Sequence, residues 1–518
     1  MEKKSKGLSA WQLTMMALGS VIGGSFFLGS SVAIHAAGPS ILISYILAGG
    51  LVYLILYALS EMTVGNPTAG SFSTFASQEL GEGTGFVVGW LYWTGTVLSM
   101  SSEATAISIL IREWVPNISI GIVGSAIIIG VTLLNLLGAD KVGKLASGLS
   151  GVKIFAIIFF IMTAIALIFG ALPGTPAVGA GELRTEPIMP GGIKGIAGSM
   201  LLVIFAYAGF EIIGLAATEA ENPRDTIPKA IRYTVFSLVG LYILYAAVLM
   251  PLIPTASLDE SVSPMVASLE RWGIGWAGKA INIVLISAIL SAMLSCIFGL
   301  GRMIRSLNDE GHAPNWLKDK KDVPYRGILF SGFAMLVGLG FGLLFPRVYL
   351  VLITTGGFAL IFTYAVIMAS HIRFRKRSGC PPEGICQMRG FPYTSWIALI
   401  SMVVVLMSMP LIPGQGVGLV AGIVMVVVYS LIYYVMRLYS QSKAKNTTKR
   451  GTPMMKKYPS LLTEFSAEMN GEVDRLEKSS NNNYLQELQR LQNSSKLNKK
   501  SNEEMFEEDE RDREGYDG

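Results

Sequence analysis

Apolar residues along this chain do not alternate with polar ones; they gather in long blocks closed by charged or Pro/Gly-rich breaks. A membrane-crossing helix needs ~20 predominantly apolar residues. Blocks of that size fall near 12–36, 40–63, 86–111, 119–138, 146–171, 196–219, 231–253, 277–303, 327–345, 348–371, 392–412 and 416–437. The pattern predicts an all-α membrane protein of about twelve transmembrane helices. The stretch 66–85 (NPTAGSFSTFASQELGEGTG) is too polar to span and is expected to form an interfacial or re-entrant connection. From about Gln441 the chain turns to Lys, Glu, Asn and Ser and ends in the acidic EEMFEEDERDREGYDG, the composition of a solvated, disordered tail. Within it, YLQELQRLQ has the pattern of one short amphipathic helix, and no tail partner is named by the sequence.

Composition agrees with the pattern. The 518 residues are 51% hydrophobic and 15% charged, with a mean hydropathy of +0.51, which leaves too little polar surface for a soluble protein of this length. The formal charge of +5 gives no reason to invoke nucleic acid. Placement of Lys and Arg sets the orientation. With the N-terminus inside, internal loops hold Lys141, Lys144, Arg224, Lys229, Arg232, Arg302, Arg305, Lys318, Lys320, Lys321, Arg373, Arg375, Lys376 and Arg377. External loops hold only Arg112, Arg184, Lys194, Arg271, Lys279 and Arg347. A multi-pass protein of the cell membrane with both termini cytoplasmic is therefore expected. No cleavable signal peptide is evident, because the first apolar run continues to Ala37 without an obvious cleavage site. Cys380 and Cys386 in a polar loop read as reduced thiols.

Two blocks contain interruptions. The first span carries Gly19-Ser20-Val21-Ile22-Gly23-Gly24-Ser25-Phe26-Phe27, small residues in a bulky run. Such glycines mark either a broken helix or close helix packing. The sixth span answers with Phe205-Ala206-Tyr207-Ala208-Gly209-Phe210-Glu211. If spans one to five and six to ten are repeats, the two interruptions occupy equivalent positions, the sequence pointer to a transport site. Three ionisable residues lie inside apolar blocks: Glu103, Lys153 and Glu211. Each costs several kcal/mol unless paired or hydrated. Lys153 has two readings, function or snorkelling to the membrane surface, whereas the short carboxylates favour a polar cavity.

At these residues the chain resembles the amino acid–polyamine–organocation superfamily, specifically its bacterial amino acid permeases, over roughly residues 8–437. Besides the first-span glycines, Ser60-Glu61-Met62 followed by Asn66-Pro67-Thr68-Ala69-Gly70-Ser71-Phe72-Ser73 resembles the family's connection after span two. Ala217 to Arg224, then Ile227-Pro228-Lys229-Ala230, is similar to its loop after span six. Arg302-Met303 and Glu310-Gly311-His312-Ala313-Pro314 are similar to its loop after span eight.

The resemblance implies a LeuT-like, five-plus-five inverted-repeat fold with two additional helices and alternating access. The regions are then a cytoplasmic N-terminus (1–11), a first five-helix repeat (12–171), an external loop (172–195), a second repeat (196–371), a cytoplasmic loop (372–391), helices eleven and twelve (392–437) and the tail (438–518). It further implies that substrate carboxylate meets backbone amides around Gly23, Gly24 and Ser25, and that the ammonium meets carbonyls near Val21, Phe205 and Ala208. Phe205 is then a gate, with ordinary aromatic packing as the alternative reading, and Cys296 lines the pocket wall. Lys153 matches the position where sodium-coupled members of the fold bind their ion, so its ammonium takes the ion's place and couples transport to protons. Glu103 and Glu211 relay protons or tie gates. Ser25 departs from the family's usual second glycine, which bears on substrate identity.

The function expected is secondary active transport of a small amino acid or related amine across the lipid bilayer. The proton gradient is the driving force, and no cofactor, catalytic group or metal is called for. An amino acid exchanger and a transporter-like nutrient sensor keep the same fold and pocket. A membrane enzyme is disfavoured: His35, His312 and His371 form no evident cluster, and no phosphate-binding loop of the Walker type is present.

Overall fold

The computed structural model describes residues 9–65, 72–137, 139–172, 174–211, 213, 220–260, 262–319, 323–380, 386 and 388–448. The chain divides into two units, 1–438 and 439–518, and the second is described only to Thr448. The motif residues 66–71 and 217–219 and the tail segment YLQELQRLQ lie outside the described residues.

The first span is built in two pieces. Helix α1 (Ala10–Val21) starts at a capping box, in which Ser9 Oγ accepts from the Gln12 amide at 3.3 Å and Gln12 Oε1 accepts from the Ser9 amide at 2.9 Å. That satisfies two donors the helix itself leaves unpaired. It stops at Val21, because Ile22 turns extended (φ −77°, ψ 105°). A π-helical turn, Ser25–Gly29, restarts the span and leads into α2 (Ser30–Ala37).

The following helices are α3 (Ile41–Gly65), α4 (Phe72–Leu80), α5 (Glu82–Arg112), α6 (Ile120–Asn135) and α7 (Ala139–Ile168). Helix α4 falls in the stretch read as too polar to span, and nine residues are too few to cross a bilayer. The second half contains α8 (Gly192–Ala206), α9 (Pro223–Leu249), α10 (Pro264–Arg271), α11 (Gly275–Asp309), α12 (Tyr325–Gly342), α13 (Val348–Ser378), α14 (Tyr393–Ser408) and α15 (Gln415–Thr448). Among the described residues, nine helical stretches are long and apolar enough to cross a membrane. Ile120–Asn135 and Gly192–Ala206 are shorter apolar helices.

Packing partners repeat with a five-span shift. Helix α3, the second span, packs on α9, the seventh; α5, the third, packs on α13, the tenth; and α11, the eighth, packs on α7, the fifth. Moving each member of the α5–α13 pair by five spans gives the α11–α7 pair, the signature of two equivalent halves facing each other. Helix α13 runs through the middle, with 89% of its apolar window enclosed, against 6% for α15 at the periphery.

Helix ends outrun the apolar blocks. Helix α11 continues to Asp309, α13 to Ser378 and α15 to Thr448. Hydropathy marks where hydrocarbon ends, whereas Lys, Arg, Gln and Ala still favour helix beyond that point. Helix α10, with Pro264 at its first turn, lies in the segment between the apolar blocks near 231–253 and 277–303. Cys380 and Cys386 are joined as a disulfide with Cα atoms 5.1 Å apart. Reduced thiols were expected, and sequence spacing alone does not disclose that contact.

Candidate functional site

The two interruptions meet. Ser20 Oγ, in the last turn of α1, donates to the carbonyl of Gly209 at 2.9 Å. Gly209 has φ +104°, a conformation that costs a residue with a β-carbon roughly 1–2 kcal/mol. Helix α8 stops at Ala206, and its last turn tightens, the Tyr207 and Ala208 amides donating to Ile204 and Phe205 carbonyls at 3.0 Å. The freed Ala206 carbonyl is not left bare: Tyr242 Oη of α9 donates to it at 2.8 Å. The ring of Tyr242 stacks on Phe26 of the first span, with centroids 4.5 Å apart.

Lys153 reaches inward instead of snorkelling, and it is fully buried. Its Nζ donates to the carbonyl of Gly19, to that of Ile22 at 3.2 Å and to Ser291 Oγ of α11 at 3.2 Å. The last carbonyls of α1 carry the negative end of the helix dipole, so an ammonium is suited to this position.

Glu103 occupies the opposite side of the same break. Its Oε2 accepts from the Gly24 amide at 2.7 Å and its Oε1 from the Ser25 amide at 3.3 Å. A β-carbon on Gly24 would overlap Oε2, and one on Gly23 would stand 3.3 Å from Oε1. The carbonyl of Gly24 accepts from Tyr349 Oη of α13 at 3.1 Å.

Glu211 serves the second break. Its Oε2 accepts from the Gly209 amide at 2.9 Å and from Tyr364 Oη at 3.1 Å, and its Oε1 accepts from Tyr92 Oη at 3.0 Å. Two tyrosines, from α13 and α5, thus lash the carboxylate to the broken sixth span. Cys296 of α11 lies within electrostatic reach of Glu103, Glu211 and Lys153. Val21 is the last residue of α1, Phe205 is buried at the end of α8, and Ala208 is half-buried beyond it. Nine of the ten residues singled out in the sequence therefore lie on the two interruptions or are hydrogen-bonded to them, and Cys296 stands within electrostatic reach.

Sequence reading did not single out Ser20, Ser291, Tyr92, Tyr242, Tyr349 or Tyr364. A tyrosine deep in an apolar helix brings a hydroxyl that needs a partner, which was the available signal. A second buried cluster was missed as a cluster. Glu61 Oε2 is 2.7 Å from His371 Nε2, Arg375 Nη1 donates to both Glu61 oxygens at 2.9 Å, and the Met388 amide donates to Oε1 at 2.6 Å.

A broken-helix pair holding an inward lysine and two pinned carboxylates suits a carrier of a small charged or zwitterionic solute. The comparisons bear on which solute. The Amino acid permease family matches residues 12–450. Gamma-aminobutyric acid permease of Bacillus subtilis is 32% identical over 459 residues, 86% of this chain and 97% of that protein. Aromatic amino acid transport protein AroP of Escherichia coli K12 is 30% identical, again over 86% of this chain and 97% of its own length. Amino-acid permease RocC of Bacillus subtilis is 30% identical with the same coverage. Broken helices and relatives agree: the chain belongs to the amino acid permease family and is a multi-pass membrane transporter of amino acids.

Proposed function

We propose that this permease takes up a small amino acid in symport with protons, by alternating access about the two broken spans. The observation that carries the reading is Lys153, whose ammonium ties the Gly19 and Ile22 carbonyls of α1 to Ser291 of α11. Losing the proton removes the charge that holds the end of α1 against α7 and α11. Proton occupancy therefore biases the packing of the broken helix, a two-state element of the kind that coupling requires.

The substrate's two charges divide between the half-helix ends. Its carboxylate meets the amides at Gly23, Gly24 and Ser25, at the positive start of the restarted helix. Its ammonium meets carbonyls near Val21, Phe205 and Ala208, with Phe205 as the gate and Cys296 on the wall. Glu103 and Glu211 serve coupling and gating. The substrates the relatives are named for, γ-aminobutyrate and aromatic amino acids, differ in side chain yet share an ammonium and a carboxylate. This supports recognition through those two groups. The excess of Lys and Arg at the helix ends holding Lys229, Arg232, Arg305 and Arg375 supports a cytoplasmic N-terminus, with the protein in the cell membrane.

The test is uptake of a labelled amino acid panel into proteoliposomes with and without an inward proton gradient. Gradient-stimulated accumulation is expected for the native chain, and loss of the stimulation for Lys153→Ala. Uptake by Lys153→Ala with unchanged pH dependence refutes the coupling.

A further inference from the structure

The amides assigned to the substrate's carboxylate are already in use. Glu103 reaches across from α5 and docks both carboxylate oxygens on the Gly24 and Ser25 amides, at 2.7 and 3.3 Å. The docked group has the chemistry of the ligand that the seat is read to take: a carboxylate on two adjacent N–H groups at the start of a helix. Gly24 bears no side chain where a β-carbon would overlap Oε2, so the seat is shaped around a carboxylate close against the backbone.

We propose that Glu103 is the permease's internal stand-in for substrate, and that a transported amino acid binds by displacing this carboxylate from the Gly24 and Ser25 amides with its own. The proposal rests on the reading that substrate carboxylate uses this seat. It adds that the empty state is held together by a competing side chain. The exchange conserves the hydrogen bonds of both amides, so neither donor is left unpaired in either state, and an unmade bond there is expensive. It also gives Glu103 a selective role. Only a ligand that brings its own carboxylate repairs the break when Glu103 leaves, and an amine without one leaves two bare amides or must bind alongside the docked side chain.

The charged and titratable groups facing Glu103 fit this exchange. Lys153 of α7 lies within electrostatic reach, so a displaced carboxylate has a cation to move towards. Cys296 of α11 and Tyr349 of α13 are the other ionisable groups near it. Tyr349 is itself held by the Gly24 carbonyl.

The experiment is equilibrium binding to the purified full chain, using the amino acid with the strongest uptake and its decarboxylated amine, on the native protein and on Glu103→Gln. The seat itself is tested on the native protein: the amine must bind more weakly than the amino acid, and equal affinities remove the carboxylate seat altogether. Displacement is tested by the variant. A neutral amide docks about half as strongly as a carboxylate, so Glu103→Gln is expected to bind the amino acid roughly three- to tenfold more tightly, a gain larger than any change in amine affinity. Amino acid affinity that stays constant or falls, or a gain shared equally by both ligands, overturns displacement. A parallel loss for both places Glu103 on the ammonium instead and overturns it too.

Thermal unfolding gives a second readout. Glu103→Gln should melt below the native chain without ligand, and the difference should shrink at saturating amino acid, because the native side chain is then undocked as well. A difference that persists unchanged with ligand contradicts displacement. Should Glu103→Gln fail to fold, Glu103→Asp, shorter by one methylene, weakens the same docking and carries the same expectations.

Discussion

Ser20 and Gly209 lie 189 residues apart in sequence, yet the Ser20 hydroxyl donates to the Gly209 carbonyl across 2.9 Å and joins the two broken spans. At Gly209, φ is +104°, and an added β-carbon would stand 3.0 Å from the Ser20 carbonyl oxygen. Both facts demand glycine. Gly209→Ala is therefore expected to cost about 1–2 kcal/mol in backbone strain and to push α8 away from α1. Uptake assays should show transport reduced tenfold or more, with the protein still inserted and monodisperse by size-exclusion chromatography. Ser20→Ala removes one hydrogen bond of ~1 kcal/mol and should reduce transport only a fewfold. Equal effects of the two substitutions contradict the strain argument.

Glu211 depends on two tyrosine hydroxyls. Tyr364→Phe removes the donor to Oε2 and Tyr92→Phe the donor to Oε1, and each leaves a buried carboxylate oxygen short of a partner. A loss of about 1–3 kcal/mol is expected for each. Because both act on one carboxylate, the double variant should fall short of the sum, which a double-mutant cycle on thermal stability will read. Strict additivity indicates that the tyrosines act separately from Glu211.

How much of this was legible depends on which property the fold uses. The interruptions were visible because small residues at Gly23, Gly24, Ser25, Ala208 and Gly209 stand out against bulky neighbours. The ionisable trio Glu103, Lys153 and Glu211 was visible because charges are rare inside apolar blocks. The identity of their partners was not. That Lys153 turns inward to the Gly19 and Ile22 carbonyls, and that Glu103 sits on the amides read as substrate's, follow from how α5, α7 and α11 pack. No local pattern encodes that packing. Helix ends were not legible for a related reason, since at α15 the apolar block closes near 437 while the backbone stays helical to Thr448.

The cluster of Glu61, His371 and Arg375 is the clearest buried ion group away from the breaks. Glu61 and His371 side chains are wholly enclosed, and Arg375 is nearly so. Removing one member of such a group strands the others, at a cost of about 3–5 kcal/mol. Arg375→Met should therefore lower the melting temperature markedly, and Glu61→Gln in the same chain should recover part of that loss. The sign of the recovery matters: a double variant less stable than Arg375→Met alone would mean that Glu61 is held mainly by His371 and the Met388 amide.

Glu310 follows α11 and receives hydroxyl donors from α4, Ser73 Oγ at 2.9 Å and Thr74 Oγ1 at 2.6 Å, with His312 Nδ1 3.2 Å from its Oε2. Burial pushes this carboxyl's pKa up, but the neighbouring His312, Thr74 and Ser73 outweigh it and hold the pKa below the ordinary carboxylate value. A carboxyl with a depressed folded pKa contributes stability that is complete above its unfolded pKa, about 4.3 for glutamate. That contribution is lost as pH falls through the lower folded value. The α4–α11 contact should therefore keep its full strength from neutral pH to about pH 5 and weaken below that. Melting temperatures of the purified chain between pH 7 and pH 3.5 should fall at the acid end, and Glu310→Gln should show a shallower fall from a lower starting point. Thr74→Ala, which removes the shortest of the donors, should lose part of the same acid-sensitive component. An acid profile identical in all three proteins would place the titrating group elsewhere.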